Sequence, residues 1–279
     1  MTITVRELAY YPVKGCAGTT VDSAQVLGTG LEHDRTFMVV DAADGAFRSQ
    51  RTHPSMAAIR VEVLGSGAAL TLSADGVEPL RLKVDPDGPR REVSMFDRPL
   101  GVAVDQGDEI ANWFSDALGA KSRLVRVAPG FDRDGWGDTP GKVNFADAHA
   151  VLVASTASLD DLNARITARG DAKTVPMDRF RPNIVLTGND EPHFEDRVRR
   201  MTIASVELAH SVRAMRCAVP MVDQSTGHRA GPEPIRTLST YRREPEYGNK
   251  VSFGAKNAVV CEGVVRVGDT VEVAEWLSR

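Results

Sequence analysis

Long apolar runs and cysteines are what this sequence most clearly lacks. No segment approaches the roughly 18 consecutive apolar residues of a membrane span, and the first residues do not combine a basic region with an apolar stretch as a secretion signal does. The 279 residues include only three cysteines, widely spaced and without a CxxC pair. This excludes a disulfide framework and argues against a zinc knuckle or a dithiol site. We therefore expect a cytoplasmic protein without a membrane span.

The sequence has no excess of positive charge, and it contains few lysines. The formal net charge is -4, which argues against a general affinity for nucleic acid. Only 7 of the 34 basic residues are lysine. The arginine excess either reflects a GC-rich genome or supplies planar groups that bind an anion through two hydrogen bonds. Composition alone does not separate the two.

The widespread catalytic signatures are also missing. There is no GxxxxGK[ST] loop, no GxGxxG after a strand, no HExxH, no GxSxG and no EF-hand loop. Cys217 follows an arginine and precedes a Pro/Gly-rich loop, so it is a candidate for buried filler, nucleophile or metal ligand. His210 and His228 flank it in sequence, but six histidines in 279 residues often place one within a dozen positions by chance.

The patterns that are present predict a mainly β (α+β) protein. Alternating apolar residues and turn signals indicate short strands over the first hundred residues. A helix is predicted over about residues 108–119, with Asp108 as a candidate cap and Gly119 at its end. The Gly/Pro/Asp-rich segment 129–145 is long enough to be a linker or an active-site lid. The final residues predict a hairpin around Gly268 and Asp269.

A buried strand followed by a helix is predicted at AVLVASTASLDDLNARITARG, which ends at Gly170. Ser158 and Asp161 have the spacing of a capping box. The hydroxyls of Ser155 and Thr156, together with the first-turn amides, offer a site for a phosphate. Plain N-capping by these hydroxyls is the simpler interpretation.

Seven segments carry a family resemblance that extends over essentially the whole chain. They are YPVKGCAG, HDRTFMVVD, SQRTHPSMAAI, STASLDDLNARI, FRPNIVLTG, RCAVPMVDQSTG and FGAKNAVVCEGVVRVGDTVEV, in this order. The chain thereby resembles MOSC proteins, and is similar to the mitochondrial amidoxime-reducing component and its bacterial relatives. The resemblance implies an N-terminal MOSC β-barrel domain over residues 1–120 and a MOSC β-barrel domain with a few helices over residues 121–279.

The resemblance also implies a molybdenum cofactor, Mo-molybdopterin. Its dithiolene supplies two sulfurs to the metal and the cysteine of the RC motif, here Cys217, supplies a third; a soft thiolate suits such a redox metal. The resemblance further implies pyridoxal phosphate binding, a property associated with the MOSC domain in this family. The resemblance places the cradle for the phosphate and the pterin on seven residues: Lys14, Arg35, Ser155, Thr156, Arg181, Asn183 and Arg216. Their types suit an anion.

The motif after the cysteine departs from the amidoxime-reducing branch. That branch usually has TTVD, and this chain has PMVD, so Pro220 and Met221 replace two hydroxyl residues. Asp223, which the motif keeps, is a candidate proton donor or pocket-orienting group, or an exposed turn residue.

The expected activity resembles the reduction of N-hydroxylated small molecules to amines or amidines. The alternative is a protein that binds molybdenum cofactor or carries sulfur on Cys217 without turnover of its own. A metal-free thiol hydrolase is a third possibility. Three isolated cysteines cannot supply the four thiolates of an iron–sulfur cluster, so we expect an external electron donor, a ferredoxin or a small reductase.

Overall fold

The computed structural model describes residues 2–170 and 173–277, and it confirms a mainly β protein. The strands of the first half are β1 Thr4–Tyr10, β2 Val13–Lys14, β3 Thr19–Val21, β4 Ser23–Leu27, β5 Gly30–Leu31, β6 Phe37–Asp41, β7 Arg60–Leu64, β8 Ala69–Ala74, β9 Val77–Lys83, β10 Arg90–Met95, β11 Arg98–Asp105 and β12 Ser122–Val127. Those of the second half are β13 Val151–Ser155, β14 Ile184–Thr187, β15 Val198–Ile203, β16 Val206–Met215, β17 Arg243–Glu244, β18 Lys250–Cys261, β19 Gly263–Arg266 and β20 Val271–Trp276. The α-helices are α1 Asp108–Leu118, α2 Thr156–Ala168 and α3 Ile235–Leu238.

The largest sheet has the strand order β20-β15-β16-β18-β13-β14-β1-β3, with β17 paired to β18. Only β13 and β14 run parallel among its neighbours, because helix α2 returns the chain from the end of one to the start of the other. Fully buried apolar residues such as Leu8, Ile184 and Leu208 fill one face of this sheet. No helix in the described ranges has the length and apolar character needed to cross a bilayer.

Two smaller sheets and α1 form the N-terminal barrel region. The first has the order β10-β11-β12-β6-β2 and the second the order β7-β8-β9. Helix α1 packs Ile110, Trp113 and Phe114 against their shared core, as the apolar spacing predicts. Its predicted bounds are confirmed, but the cap is different. Gly107 is the N-cap, at φ 91, and Asp108 lies inside the helix, where its carboxylate pairs with Arg123.

Strands from the two halves of the chain are interleaved. The N-terminal strand β1 pairs with β14 and β4 pairs with β19, so these two strands and their partners β3 and β5 extend sheets of the C-terminal half. Strand β2, in contrast, pairs with β6. Strand β12 lies beyond residue 120 but pairs with β11 and β6. The strands therefore do not separate at residue 120, and the division into domains 1–120 and 121–279 stays a prediction about folding units.

Two local predictions near helix and strand ends were wrong. Helix α2 begins at Thr156, with Ser155 as N-cap, because the Ser155 hydroxyl accepts the Ser158 amide at 3.2 Å. The capping box at Ser158 and Asp161 therefore does not form. The turn after β19 is present, yet β19 pairs with β4 and β20 pairs with β15. The last two strands consequently do not form a hairpin with each other.

A buried histidine makes the fold acid-sensitive. Burial lowers the pKa of His210 from 6.5 to about 4; Asp138 opposes this shift, whereas Arg199 and Arg213 add to it. Between these pH values the unfolded chain binds a proton that the folded chain does not, so unfolding free energy falls as pH falls through this window. Between pH 7 and pH 5 the protein loses unfolding free energy, and we expect His210→Gln to reduce this loss by about 1 to 2 kcal/mol, measured by urea unfolding. Parallel stability curves for the two proteins would contradict this.

Candidate functional site

A cavity opens between the N-terminal barrel region and the large sheet, and it encloses about 910 Å³ including the part open to solvent. Its wall contains Lys14, Gly15, Arg35, Phe47, Ser49, Gln50, Arg51 and Phe96 from the first half of the chain, and Ala146, Asp147, His149, Ala150, Leu152, Arg179, Phe180, Arg181, Asn183, Met215, Arg216, Cys217, Val219, Pro220 and Lys256 from the second. Six of the predicted site residues meet here: Lys14, Arg35, Arg181, Asn183, Arg216 and Cys217.

The charge of the cavity wall is strongly unbalanced. Seven basic side chains line it, from Lys14, Arg35, Arg51, Arg179, Arg181, Arg216 and Lys256. Among the described residues that line the cavity, Asp147 carries the one carboxylate. Clustered cations repel one another, and their burial is costly unless an anion compensates it. The arrangement favours a negatively charged ligand.

Arg35 is held in place by an acidic neighbour and a buried amide. It lies in the HDR motif with φ 47, and its Nη1 donates to both carboxylate oxygens of Asp34 at 2.7 and 2.6 Å. The same nitrogen donates to Asn183 Oδ1 at 3.1 Å. Burial raises the pKa of Asp34, and Arg35 opposes that rise. Asn183 also accepts the Leu152 amide and donates to Ala9 O, so it fastens β13 and β1 beside Arg35.

Arg181 connects the cavity wall to the N-terminal segment. Its side chain donates to the Cys16 carbonyl and to Gln224 Oε1. Its guanidinium carbon lies 4.2 Å from the centre of the Tyr11 ring, and that of Arg35 lies 4.1 Å from the same centre. Burial lowers the pKa of Arg181 to about 10. A buried arginine with these contacts has a structural role in addition to its place in the cavity.

Arg216 and Cys217 follow the end of β16 and face the same cavity. Arg216 Nε donates to Phe253 O at 3.0 Å, whereas the buried Nη2 has no partner within the part of the chain that the structure describes. Burial lowers the pKa of Arg216 to about 10. Cys217 is an exposed free thiol, whereas Cys16 is buried, which raises the pKa of its thiol to about 12. Of the two, the thiol open to a ligand is Cys217.

Two lysines complete the positive wall. Lys14 pairs with Asp147, whose side chain is about half exposed at the cavity. Lys256 lies on β18 and also lines the cavity. Its ammonium makes no hydrogen bond or ion pair with the residues in 2–170 and 173–277. Burial lowers the pKa of Lys256 to about 8, although Asp147 opposes the shift. Lys256 was not predicted as a site residue, although it stands in the FGAKN motif and is one of only seven lysines.

The structure places Ser155 and Thr156 away from the cavity lining. Ser155 Oγ donates to Glu195 Oε2 at 2.8 Å and caps α2, while Thr156 Oγ1 donates to Thr187 Oγ1 at 3.1 Å. Burial and the neighbouring Asp196 together raise the pKa of Glu195 to about 7, although hydrogen bonds from Ser158 and Ser155 oppose the rise. Both hydroxyls thus already have protein partners, and their predicted contact with a cofactor phosphate stays a prediction.

Asp223 lies behind the cavity wall. Its Oδ1 accepts the Ser225 hydroxyl at 2.6 Å and the Ser225 and Thr226 amides, and its Oδ2 accepts Arg179 Nη2 at 3.3 Å. The Ser225 hydroxyl holds the pKa of this carboxyl below its usual range, despite partial burial. Four donors favour an ionised acceptor, so this geometry suits the orienting role of Asp223 better than proton donation.

The PMVD departure changes one residue of the cavity wall. Pro220 lines the cavity, and its carbonyl accepts Arg179 Nη1 at 3.1 Å. Met221 is not among the lining residues. Arg179, which stands just before the predicted Arg181, was missed because a sequence shows neither which arginine is buried nor which carbonyl it meets. The 129–145 segment contributes no lining residue, so the lid interpretation is not supported by its position.

These residues fit an anionic cofactor. Arg216 Nη2 and Arg179 Nε are buried nitrogens without partners among the described residues. Lys256 adds a further cation to the same wall. Oxyanion groups satisfy such donors. In the described ranges no cluster of three His, Cys, Asp or Glu side chains could hold a metal ion. A metal carried by a cofactor needs only one protein ligand, which Cys217 can supply.

The fold and the site together define a mainly β protein with a thiol in a cation-lined cavity. Each half of the chain also matches a family model. Residues 2–121 match the MOSC N-terminal beta barrel domain, and residues 140–272 match the MOSC domain. The chain belongs to the MOSC family, as the order of its motifs indicated.

Similar proteins include two groups of curated relatives. The chain is 32% identical to mitochondrial amidoxime-reducing component 1 of Mus musculus, with 96% of this chain and 81% of that protein aligned. It is 29% identical to molybdenum cofactor sulfurase of Arabidopsis thaliana, with 90% of this chain but 32% of that protein aligned. Among solved structures, the YuaD protein from Bacillus subtilis has a TM-score of 0.41 and 9% identity, covering 97% of this chain and 94% of that one.

Proposed function

We propose that the protein is a molybdenum-cofactor-dependent reductase of N-hydroxylated compounds. The observation that carries the proposal is the cavity in which the exposed Cys217 thiol shares a wall with seven basic side chains and one carboxylate. The similarity to mitochondrial amidoxime-reducing component 1 over 96% of this chain supports the named substrate class.

The chain's own groups would bind and orient in this reaction. When bound, the cofactor supplies a two-electron redox centre at a metal that also takes the Cys217 thiolate. Arg216, Arg181 and Lys256 would hold its anionic parts, and Arg35 with Asn183 would fix the floor of the site. The substrate N–O bond breaks with uptake of two electrons and two protons, and its oxygen leaves as water. Protons can come from solvent because the cavity is open.

We propose that an external donor supplies the electrons. Of the three cysteines, Cys16 is buried and Cys217 is assigned to the metal, so the chain cannot bind an iron–sulfur cluster through four thiolates. We expect no product from cofactor-loaded protein, benzamidoxime and NADH. Adding reduced viologen, a one-electron donor that acts twice per turnover, is expected to start the reaction, with benzamidine measured by chromatography. Steady NADH-driven turnover by the purified chain would contradict this expectation.

A carrier of molybdenum cofactor or of sulfur is the second candidate. The similarity to molybdenum cofactor sulfurase over 90% of this chain favours it, and so does the exposure of Cys217, since a persulfide needs an accessible thiol. The viologen experiment separates the candidates. A carrier would contain molybdenum cofactor or a persulfide and still form no benzamidine, and mass spectrometry of the Cys217 peptide would report the extra sulfur.

A further inference from the structure

An aromatic pair in the cavity wall lies next to Lys14 and has not yet been described. Phe47 and Phe96 lie with ring centres 6.2 Å apart at an interplanar angle of 89°, an edge-to-face contact. Both rings line the cavity that contains Cys217, and Phe96 is 46% exposed. An exposed phenylalanine in a wall otherwise rich in cations calls for an explanation.

The backbone at Phe96 is in an unfavourable conformation. Phe96 and Asp97 join β10 to β11, and their φ values are 55° and 59°. A two-residue hairpin turn with both φ values positive favours Asn-Gly, and a bulky aromatic residue is rare there. Strained residues persist mainly at functional sites. The position would accept Asn with less strain, so the turn conformation by itself does not favour phenylalanine.

The surrounding segments hold the pair rigidly. Phe47 N donates to Ser94 O at 2.9 Å and Ser94 N donates to Gly45 O at 3.1 Å. A side chain at Gly45 would come within 2.3 Å of the Glu92 carbonyl, so this close approach requires glycine. The 45–47 segment and β10 thus form one unit, which fixes the Phe47 ring beside the tip that carries Phe96.

Two cations lie against the aromatic pair. The Lys14 ammonium lies 5.0 Å from the centre of the Phe47 ring and 6.0 Å from the centre of the Phe96 ring. The Arg51 guanidinium carbon lies 4.7 Å from the centre of the Phe96 ring, and the Arg51 carbonyl accepts Arg229 Nη2 at 2.6 Å. Arg229 belongs to the turn that follows the Cys217 motif. The Phe96 wall is therefore tied to the segment that carries the thiol.

We propose that Phe96, supported by Phe47 and Arg51, forms an aryl subsite that selects N-hydroxylated substrates with a planar aromatic group. The inference rests on the proposed reductase function and deepens it. Aromatic rings prefer edge-to-face or offset contacts with a phenylalanine ring, and Arg51 adds a planar cation beside it. The deeply buried cations suit the tightly held anion, whereas the half-exposed ring suits a ligand that must exchange at each turnover.

The test uses two substrates that differ only in the ring, benzamidoxime and acetamidoxime, with cofactor-loaded protein and reduced viologen as donor. Phe96→Asn removes the ring and suits the positive φ. We expect it to raise KM for benzamidoxime roughly five- to tenfold, with kcat nearly unchanged, because an aromatic contact of this size is lost. Kinetic constants for acetamidoxime should stay the same. The thermal midpoint should be equal or higher, since the strain is relieved.

Control variants separate ring contact from other effects. Phe96→Leu keeps apolar volume without a ring and should show most of the KM change. Val102→Ala alters an exposed apolar residue on β11, outside the lining of this cavity, and should change neither substrate's constants. The artificial donor removes any contribution from docking of a natural electron carrier.

Three results with the variants would overturn the aryl subsite. They are equal changes in KM for the two substrates, no change in KM for benzamidoxime, and a fall in molybdenum and pterin content in Phe96→Asn. The last result would place the ring against the cofactor. Saturation-transfer NMR of benzamidoxime on the loaded proteins gives a readout without turnover. Ring-dependent binding that Phe96→Asn weakens, with no product from wild type, would reject the reductase function and keep the subsite. No binding to wild type would reject the subsite.

Discussion

Replacing Cys217 by serine is expected to abolish reduction of N-hydroxylated compounds while the fold and the bound pterin persist. Cys217 is exposed, and its thiol has no hydrogen bond to any of the residues that the structure describes, so its replacement removes a soft ligand and little packing. We expect a fall in kcat of at least roughly three decades, about 4 kcal/mol of transition-state stabilisation. The rate is measured with reduced viologen and benzamidoxime, after molybdenum and pterin contents have been matched.

Metal spectroscopy gives a second readout for Cys217→Ser. X-ray absorption at the molybdenum edge should report one sulfur neighbour fewer than in wild type. Cys261 offers a matched control, because it is also an exposed free thiol but lies at the end of β18, near Glu207. Cys261→Ser should keep both the activity and the sulfur count. An unchanged sulfur count in Cys217→Ser would refute the assignment of this thiol to the metal.

Replacing Arg216 by methionine is expected to cause the largest loss of cofactor among single changes in the cavity that leave the fold intact. Its buried Nη2 has no partner among the described residues, so a ligand oxyanion would gain a charge-assisted hydrogen bond. Losing that bond costs about 1.5 to 3 kcal/mol, roughly a 10- to 150-fold loss of affinity. Occupancy is measured as molybdenum and pterin per protein after expression in cofactor-competent cells.

Variants chosen by burial and charge test this explanation. Arg216→Lys keeps the charge but loses the planar group, and we expect an intermediate occupancy. Arg60→Met changes an exposed arginine of β7 outside the cavity and should keep full occupancy. Arg181→Met should lower thermal stability as well as occupancy, because Arg181 also bonds the Cys16 carbonyl and Gln224. Full occupancy in Arg216→Met would reject the assignment of this residue to the anion.

Local sequence patterns predicted the positions of helices and strands better than they predicted which strands pair. The apolar spacing around Ile110 and Phe114 correctly predicted α1, because a helix buries residues of one face. At the start of α2, N-capping by Ser155 was confirmed, whereas the capping box at Ser158 and Asp161 was wrong. The Ser158 hydroxyl instead donates to Glu195, which is 37 residues away in sequence. Similarly, β19 and β20 were predicted as a hairpin, but each strand pairs elsewhere.

The sequence by itself determined the family, the mainly β class and the candidate thiol, because ordered motifs and alternating apolar residues are properties of the chain alone. Only the tertiary structure decided which arginines are buried, that Lys256 and Arg179 join the cavity, and that Ser155 and Asp223 lie outside its lining. The physical reason is distance in sequence. Lys14, Arg181 and Lys256 come from strands or loops more than 70 residues apart, and burial, charge crowding and unpaired donors arise only where folding brings such segments together.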